Sequence, residues 1–249
     1  MQLTVLVGPT GAEPCLVDAD LYVPDGASAA APVPAILTTN GFGGFKDDQA
    51  GAAAAFGREG YLTLSYTGLG FPNSGCKISL DDPDFDGKAA KQLVDYLAGL
   101  KADNSGRILD MVAKDSGAGE PPDPKVGMIG GSYGGQVQFA AASLDPRIDA
   151  LIPIITWNDL SYSLAPNNTS FSTGVTYATP GVHKKQWTSL FFGVGITDGI
   201  QGTGVDPSRN VGCPNFVTQA ACRRSSWRPW VIRTRQRSTS IGTRPSRRT

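Results

Sequence analysis

Between residues 3 and 155 short apolar, β-branched runs alternate with stretches of helical pattern, and this alternation restricts the chain more than any other feature. LTVLV (3–7), DLYVP (20–24), PAILTT (34–39), YLTLSY (61–66), VGMIG (126–130) and ALIPII (150–155) read as strands, with PAILTT, VGMIG and ALIPII expected to be buried. The intervening residues 47–59 are Ala-rich and helical. Residues 84–100 place Leu93, Tyr96, Leu97 and Leu100 on one helical face, with Ala89 and Ala90 a turn earlier. A third helix is expected after VGMIG, running to Leu144. Strands separated by helices join in parallel through crossovers, with helices covering both faces of the sheet. The expected fold class is therefore α/β, with a mostly parallel sheet.

VGMIG runs straight into Gly130-Gly131-Ser132-Tyr133-Gly134, a G-x-S-x-G match between a strand and a helix. Such a turn lifts a serine oxygen above the sheet edge, and small residues two before and two after the serine permit the backbone it needs. Ser132 is the candidate nucleophile, and the context is that of an α/β-hydrolase fold. A Gly-rich turn that binds phosphate or is merely structural is disfavoured, because neither a P-loop lysine nor GxGxxG spacing is present. Asn40-Gly41-Phe42-Gly43-Gly44 follows the third strand. An oxyanion hole in this fold takes one backbone N–H from the residue after the nucleophile, here Tyr133, and one from this loop, for which Phe42 is the candidate.

A serine nucleophile needs a base, and the chain order in this fold is Ser, Asp or Glu, then His. His183 is the one histidine. A triad of Ser132, Asp159 and His183 has the right order. The competing reading is a solvated or capping histidine beside Lys184 and Lys185, with the working base outside this chain. No cofactor is expected, and no metal, since Cys15, Cys76, Cys213 and Cys222 form no CxxC pair. Cys213 and Cys222 are spaced to permit a disulfide, or equally to lie reduced and buried. The overlapping sequons at Asn167 and Asn168 decide nothing.

The net charge of zero hides two unlike parts. All acidic residues lie at or before Asp206, so residues 1–222 carry −9, and the nine arginines of 223–249 supply +9. That last stretch has no lysine and no apolar periodicity, and cannot bury enough surface to fold alone. Out-of-frame translation of a GC-rich gene accounts for its composition. A basic tail that binds nucleic acid is the alternative, but nothing else in the chain is basic, and no nucleic-acid partner is expected. No run of 18 apolar residues exists, so no membrane span is expected. MQLTVLVGPTGAE lacks the basic and apolar parts of a secretory signal, which suits a cytoplasmic product unless the start lies upstream.

LTTNGFGGFKDD (37–48), SYTGLGFPNSG (65–75), DPDFDGKAAKQLVDYL (82–97), IGGSYGGQVQ (129–138) and TWNDLSYSLAPNN (156–168) together resemble the X-Pro dipeptidyl-peptidase-like serine hydrolases, which include cocaine-esterase-type enzymes and are often secreted. The resemblance runs from about Val5 to Cys222. It implies an α/β-hydrolase domain with a helical cap inserted late in the sheet, and cleavage of an ester or amide bond in a small-molecule or peptide substrate through a serine acyl-enzyme. Ser132 matches the family's nucleophile, Tyr133 an oxyanion N–H donor, and Phe42 stands at or near the other donor. Thr67-Gly68 replaces the Arg-Gly frequent in members, and the family's acid and base have no matching positions. The expected organisation is a hydrolase core over 1–156, a partial cap over 157–222 and a basic tail over 223–249. The fold is thus expected to be truncated and this chain to turn over little substrate.

Overall fold

β1 (Gln2–Val7) and β2 (Glu13–Tyr22) form a hairpin, joined by a turn in which Gly8 and Gly11 take positive φ. A connection this short allows only antiparallel pairing. β2 pairs antiparallel with β4 (Leu62–Tyr66), and from there the sheet is parallel through β3 (Ala35–Thr39), β5 (Val126–Gly131) and β6 (Ile148–Ile154). The spatial order is β1-β2-β4-β3-β5-β6. This is the α/β-hydrolase fold, in a computed structural model that describes residues 1–117, 120–166, 169–170, 174–175, 182–206 and 209. The tail 223–249, Cys213, Cys222, Asn167 and Asn168 lie outside the described residues.

Helices supply the crossovers. α1 (Ala50–Arg58) leads from β3 to β4, and α2 (Lys88–Leu97) lies between β4 and β5 in sequence. α3 (Tyr133–Ala142) connects β5 to β6. Every residue of β4 is buried, so the sheet is covered on both faces there. β1 buries Leu3, Val5 and Val7 and leaves the residues between them exposed, the period of an edge strand with one face on the core. The core joins these residues to Leu37, Leu62, Leu64, Val126 and Met128 of the sheet and to Ala90, Leu93, Val94 and Leu97 of α2. Each fully buried leucine or valine contributes roughly 1.5–3 kcal/mol.

Three expectations shift. The helical face predicted to reach Leu100 stops at Leu97, because Gly99 takes φ 76° and its N–H bonds back to the Tyr96 carbonyl; Leu100 is 55% exposed. ALIPII, read as a buried strand, is an outer strand of the described sheet and is covered on one face only: Leu151 packs against the core, whereas Ile152 is 55% exposed and Ile154 48%. The start of the second strand also lies well upstream of Asp20, at Glu13.

Beyond β6 come α4 (Leu160–Leu164), a backbone pairing of β7 (Thr169–Ser170) with β8 (Gly174–Val175), and α5 (Lys185–Gln201). α5 is 17 residues long. No helix among the described residues is long and apolar enough to cross a membrane.

Candidate active site

Ser132 joins β5 to α3 with φ 54° and ψ −115°. A residue with a Cβ is strained there by roughly 1–3 kcal/mol, a strain that persists only where surroundings enforce it. Here they do. The Ser132 N–H donates to the Ile154 carbonyl at 2.8 Å, while the Ser132 carbonyl accepts from Gly135 at 3.0 Å and Gln136 at 3.1 Å. The glycines after it are required by space: a Cβ on Gly134 would stand 2.6 Å from the Thr39 carbonyl, and one on Gly135 3.1 Å from that of Ile154. The end of β3 therefore presses directly on the first turn of α3. The Tyr133 N–H opens that helix, where the geometry offers no intrahelical carbonyl and the helix dipole favours negative charge.

The turn after β3 lies against this elbow. A Cβ on Gly41 would be 3.9 Å from the Gly131 carbonyl. The Gly44 N–H closes the turn on the Gly41 carbonyl at 3.0 Å, and Gly43 has φ 83°. Buried Asn40 fixes it to the next loop: its Nδ2 donates to the Gly41 carbonyl at 2.7 Å, and its Oδ1 accepts from the Gly68 N–H at 2.9 Å. α5 closes in on the same turn, with Val194 Cγ1 only 2.9 Å from where a Gly43 Cβ would be.

Rings fill the space beneath. Phe71 packs edge-on against Phe42 at 5.3 Å and against Tyr133 at 5.1 Å, and Phe42 meets Phe191 of α5 at 4.9 Å. Such edge contacts contribute about 0.5–1.5 kcal/mol each beyond burial. Tyr133 and Phe42, the two predicted oxyanion residues, thus share one aromatic cluster.

Behind the rings lies a group of acids that sequence reasoning did not find. Asp86 sits in a wide helical turn, Pro83–Gly87, that opens α2. Its Oδ2 accepts from the Tyr133 hydroxyl at 2.8 Å, from the Asp81 N–H at 3.0 Å and from the Ser79 hydroxyl. Burial raises the Asp86 carboxyl to about 6 against the pull of those donors. Asp81 is raised well above the usual carboxylate range by burial and then by the Asp86 charge, and neither of its oxygens has a hydrogen-bond partner. The buried Tyr66 hydroxyl beside them is also pushed up, first by burial and then by the Asp86 and Asp81 charges. No sequence period marks Asp86: DPDFDG reads as an ordinary acidic helix start.

The loop carrying Phe71 is clamped. Cys15 of β2 is disulfide-bonded to Cys76, across 61 residues. Arg209, 1% exposed, donates from Nε to the Cys76 carbonyl at 2.8 Å. Among the described residues one set of possible metal ligands converges, Glu13, Cys15 and Cys76, but its two sulfurs are bonded to each other and are not thiolate donors.

The described contacts do not assemble the triad written from the sequence. The Asp159 carboxylate accepts from the Tyr162 N–H at 3.0 Å, capping α4, and the His183 side chain is exposed. Neither is joined to Ser132 by any described hydrogen bond. The structure brings Ser132, Tyr133 and Phe42 together and leaves Asp159 and His183 in the segments that follow β6.

Solved structures with the same fold include a CocE/NonD family hydrolase from Staphylococcus aureus (13% identity, 90% of this chain, 38% of that chain, TM-score 0.46). A hypothetical protein from Pseudomonas aeruginosa aligns at 19% identity over 81% of this chain and 54% of its own, with a TM-score of 0.48. A 2,6-dihydroxy-pseudo-oxynicotine hydrolase aligns at 20% identity over 66% of this chain and 38% of its own, with a TM-score of 0.45. This chain spans between a third and somewhat over half of those proteins. No curated protein matches it in sequence. Residues 13–189, more than two thirds of the chain, match the model of the X-Pro dipeptidyl-peptidase (S15) family, and the chain belongs to that family of hydrolases.

Proposed function

We propose that Ser132 is the nucleophile of a serine hydrolase that cleaves an ester or amide bond through an acyl-enzyme. The observation that carries this is the backbone of Ser132 itself, φ 54° and ψ −115° at a strand-to-helix turn whose neighbours enforce it. In the reaction the Ser132 oxygen bonds to the substrate carbonyl carbon and its proton passes to a base. The carbonyl oxygen takes up negative charge opposite the Phe42 and Tyr133 N–H groups. Collapse expels the alcohol or amine and leaves the acyl-serine, which water then hydrolyses. Each oxyanion donor in such a site contributes about 3–4 kcal/mol to the barrier reduction.

The base stands outside this constellation, because the His183 side chain is exposed and unconnected to Ser132. This chain by itself is therefore expected to turn over little p-nitrophenyl acetate or X-Pro-p-nitroanilide. Slow labelling of Ser132 by a fluorophosphonate, lost in Ser132→Ala, supports the reading. A chain that hydrolyses either substrate equally well as Ser132→Ala overturns it. Turnover abolished by both Ser132→Ala and His183→Ala would instead restore the in-chain triad. A folded chain with no labelling at all would favour a second reading, a noncatalytic binding module that keeps the hydrolase cleft.

A further inference from the structure

The proposed chemistry leaves the Asp86 carboxylate without a task. Three donors converge on its Oδ2: the Tyr133 hydroxyl at 2.8 Å, the Asp81 N–H at 3.0 Å and the Ser79 hydroxyl. Asp86 is 3% exposed, and α3 packs so closely on the adjoining Gly87 that a Cβ there would stand 3.0 Å from the Ala140 carbonyl. A buried carboxylate is a poor choice where packing alone is needed, since apolar groups of similar volume commonly do as well or better. What this one grips is the side chain of the residue next to Ser132. The Tyr133 ring is held at its hydroxyl by Asp86 and across its face by Phe71 and Phe42. The Tyr133 side chain is thus held from two ends.

We propose that Asp86 is a positioning residue for the oxyanion site: it holds the Tyr133 phenol and so keeps the Tyr133 N–H aimed at the place where charge develops. The proposal rests on the serine chemistry above. The ionisable groups that act on Asp86 and its partners are Asp81 and Asp82 from the preceding loop, Tyr66 from β4 and Tyr133 from α3.

The test compares Asp86→Asn, Tyr133→Phe and the double variant in the full chain, with two readouts. The first is fluorophosphonate labelling of Ser132 as a function of probe concentration. Each single variant is expected to slow the maximal labelling rate by about tenfold or more with little change in apparent affinity, and the double variant to be no slower than either. The second is amide hydrogen exchange. Both variants are expected to speed exchange in peptides covering 130–137 by about tenfold while β1 to β4 keep their protection. Exchange that is unchanged at 130–137 overturns the proposal, whatever the labelling does. A wild-type chain that is never labelled defeats the serine chemistry, and the exchange data then decide the positioning role alone. Tyr133→Phe removes only a hydroxyl, so it keeps the comparison open if Asp86→Asn does not fold.

Discussion

The Tyr133 hydroxyl donates a 2.8 Å hydrogen bond to Asp86, 47 residues away in sequence, and this bond ties the turn that opens α2 to the turn that opens α3. It joins a group disfavoured by burial to the residue beside a strained serine. Buried charge and backbone strain both lower stability, and both are concentrated here rather than in the core around β1 and α2. Such coincidence is the physical mark of a site shaped for chemistry.

Relief of the strain at Ser132 is measurable. Ser132→Ala keeps a Cβ at φ 54°, whereas Ser132→Gly does not. Glycine loses more entropy on folding, by roughly 0.5–1 kcal/mol, yet the strain it removes is roughly 1–3 kcal/mol. Ser132→Gly is expected to melt at or above the temperature of Ser132→Ala in a thermal scan. A clearly lower Tm would mean that the elbow is not strained.

Gly134 is expected to be intolerant for a reason of space. An alanine there would place its methyl 2.6 Å from the Thr39 carbonyl and 3.1 Å from that of Asn40, both backbone atoms of the sheet edge. Gly134→Ala should therefore lose about 2 kcal/mol or more in urea unfolding, and fluorophosphonate labelling with it. Gly51→Ala is the control. Nothing lies within 4 Å of a Cβ on Gly51 in α1, and the change should be neutral or stabilise by up to about 1 kcal/mol.

The elements that sequence made legible are those whose signal is local. Alternation along LTVLV and the α2 face at Leu93, Tyr96 and Leu97 survive in the fold because one side of each element meets the core. Gly130 to Gly134 carries its own steric requirement within five residues. What stayed hidden depends on partners far away in sequence. ALIPII has the composition of a buried strand, but burial depends on what packs on each face, and only the Leu151 side meets the core. Cys15 and Cys76 meet only because Gly75 pairs with Leu16 across the sheet edge. Asp86 acquires its character from Ser79, Asp81 and Tyr133, and no window around DPDFDG contains that information.

The Cys15–Cys76 bond closes a loop of 61 residues that includes β3, α1 and β4. Chain entropy alone gives a cross-link of this span about 4 kcal/mol, at the upper end of the usual 2–4. Cys15→Ser with Cys76→Ser is expected to lower unfolding free energy by about 2–4 kcal/mol, with equal melting in the presence and absence of dithiothreitol. The larger effect should fall on the Phe71 loop, read as faster amide exchange over 67–76. Wild-type chain whose melting is also indifferent to dithiothreitol would show that the bond does not form. A bond of this kind persists in oxidising compartments.

Stability should depend on pH through Asp86 with a definite sign. Its carboxyl is raised by burial from 3.8 to about 6 in the folded chain. Below about pH 4 the group is protonated in both states and adds no penalty. Between about pH 4 and 6 the unfolded chain ionises first, so stability falls as pH rises, and above about 6 the loss is constant. The full difference is at most about 3 kcal/mol. Asp81 and Asp198 act in the same direction, as burial raises both, Asp198 to about 6. Asp145 runs the other way: the Arg147 side chain lowers its carboxyl against the cost of burial, so its contribution is present above its unfolded value and lost only at lower pH. Asp86→Asn does not titrate. Relative to wild type, its Tm should therefore rise on going from pH 4 to pH 7, even if the variant starts lower. A Tm difference between the two proteins that is the same at both pH values would mean that the Asp86 carboxyl titrates alike in the folded and unfolded chain.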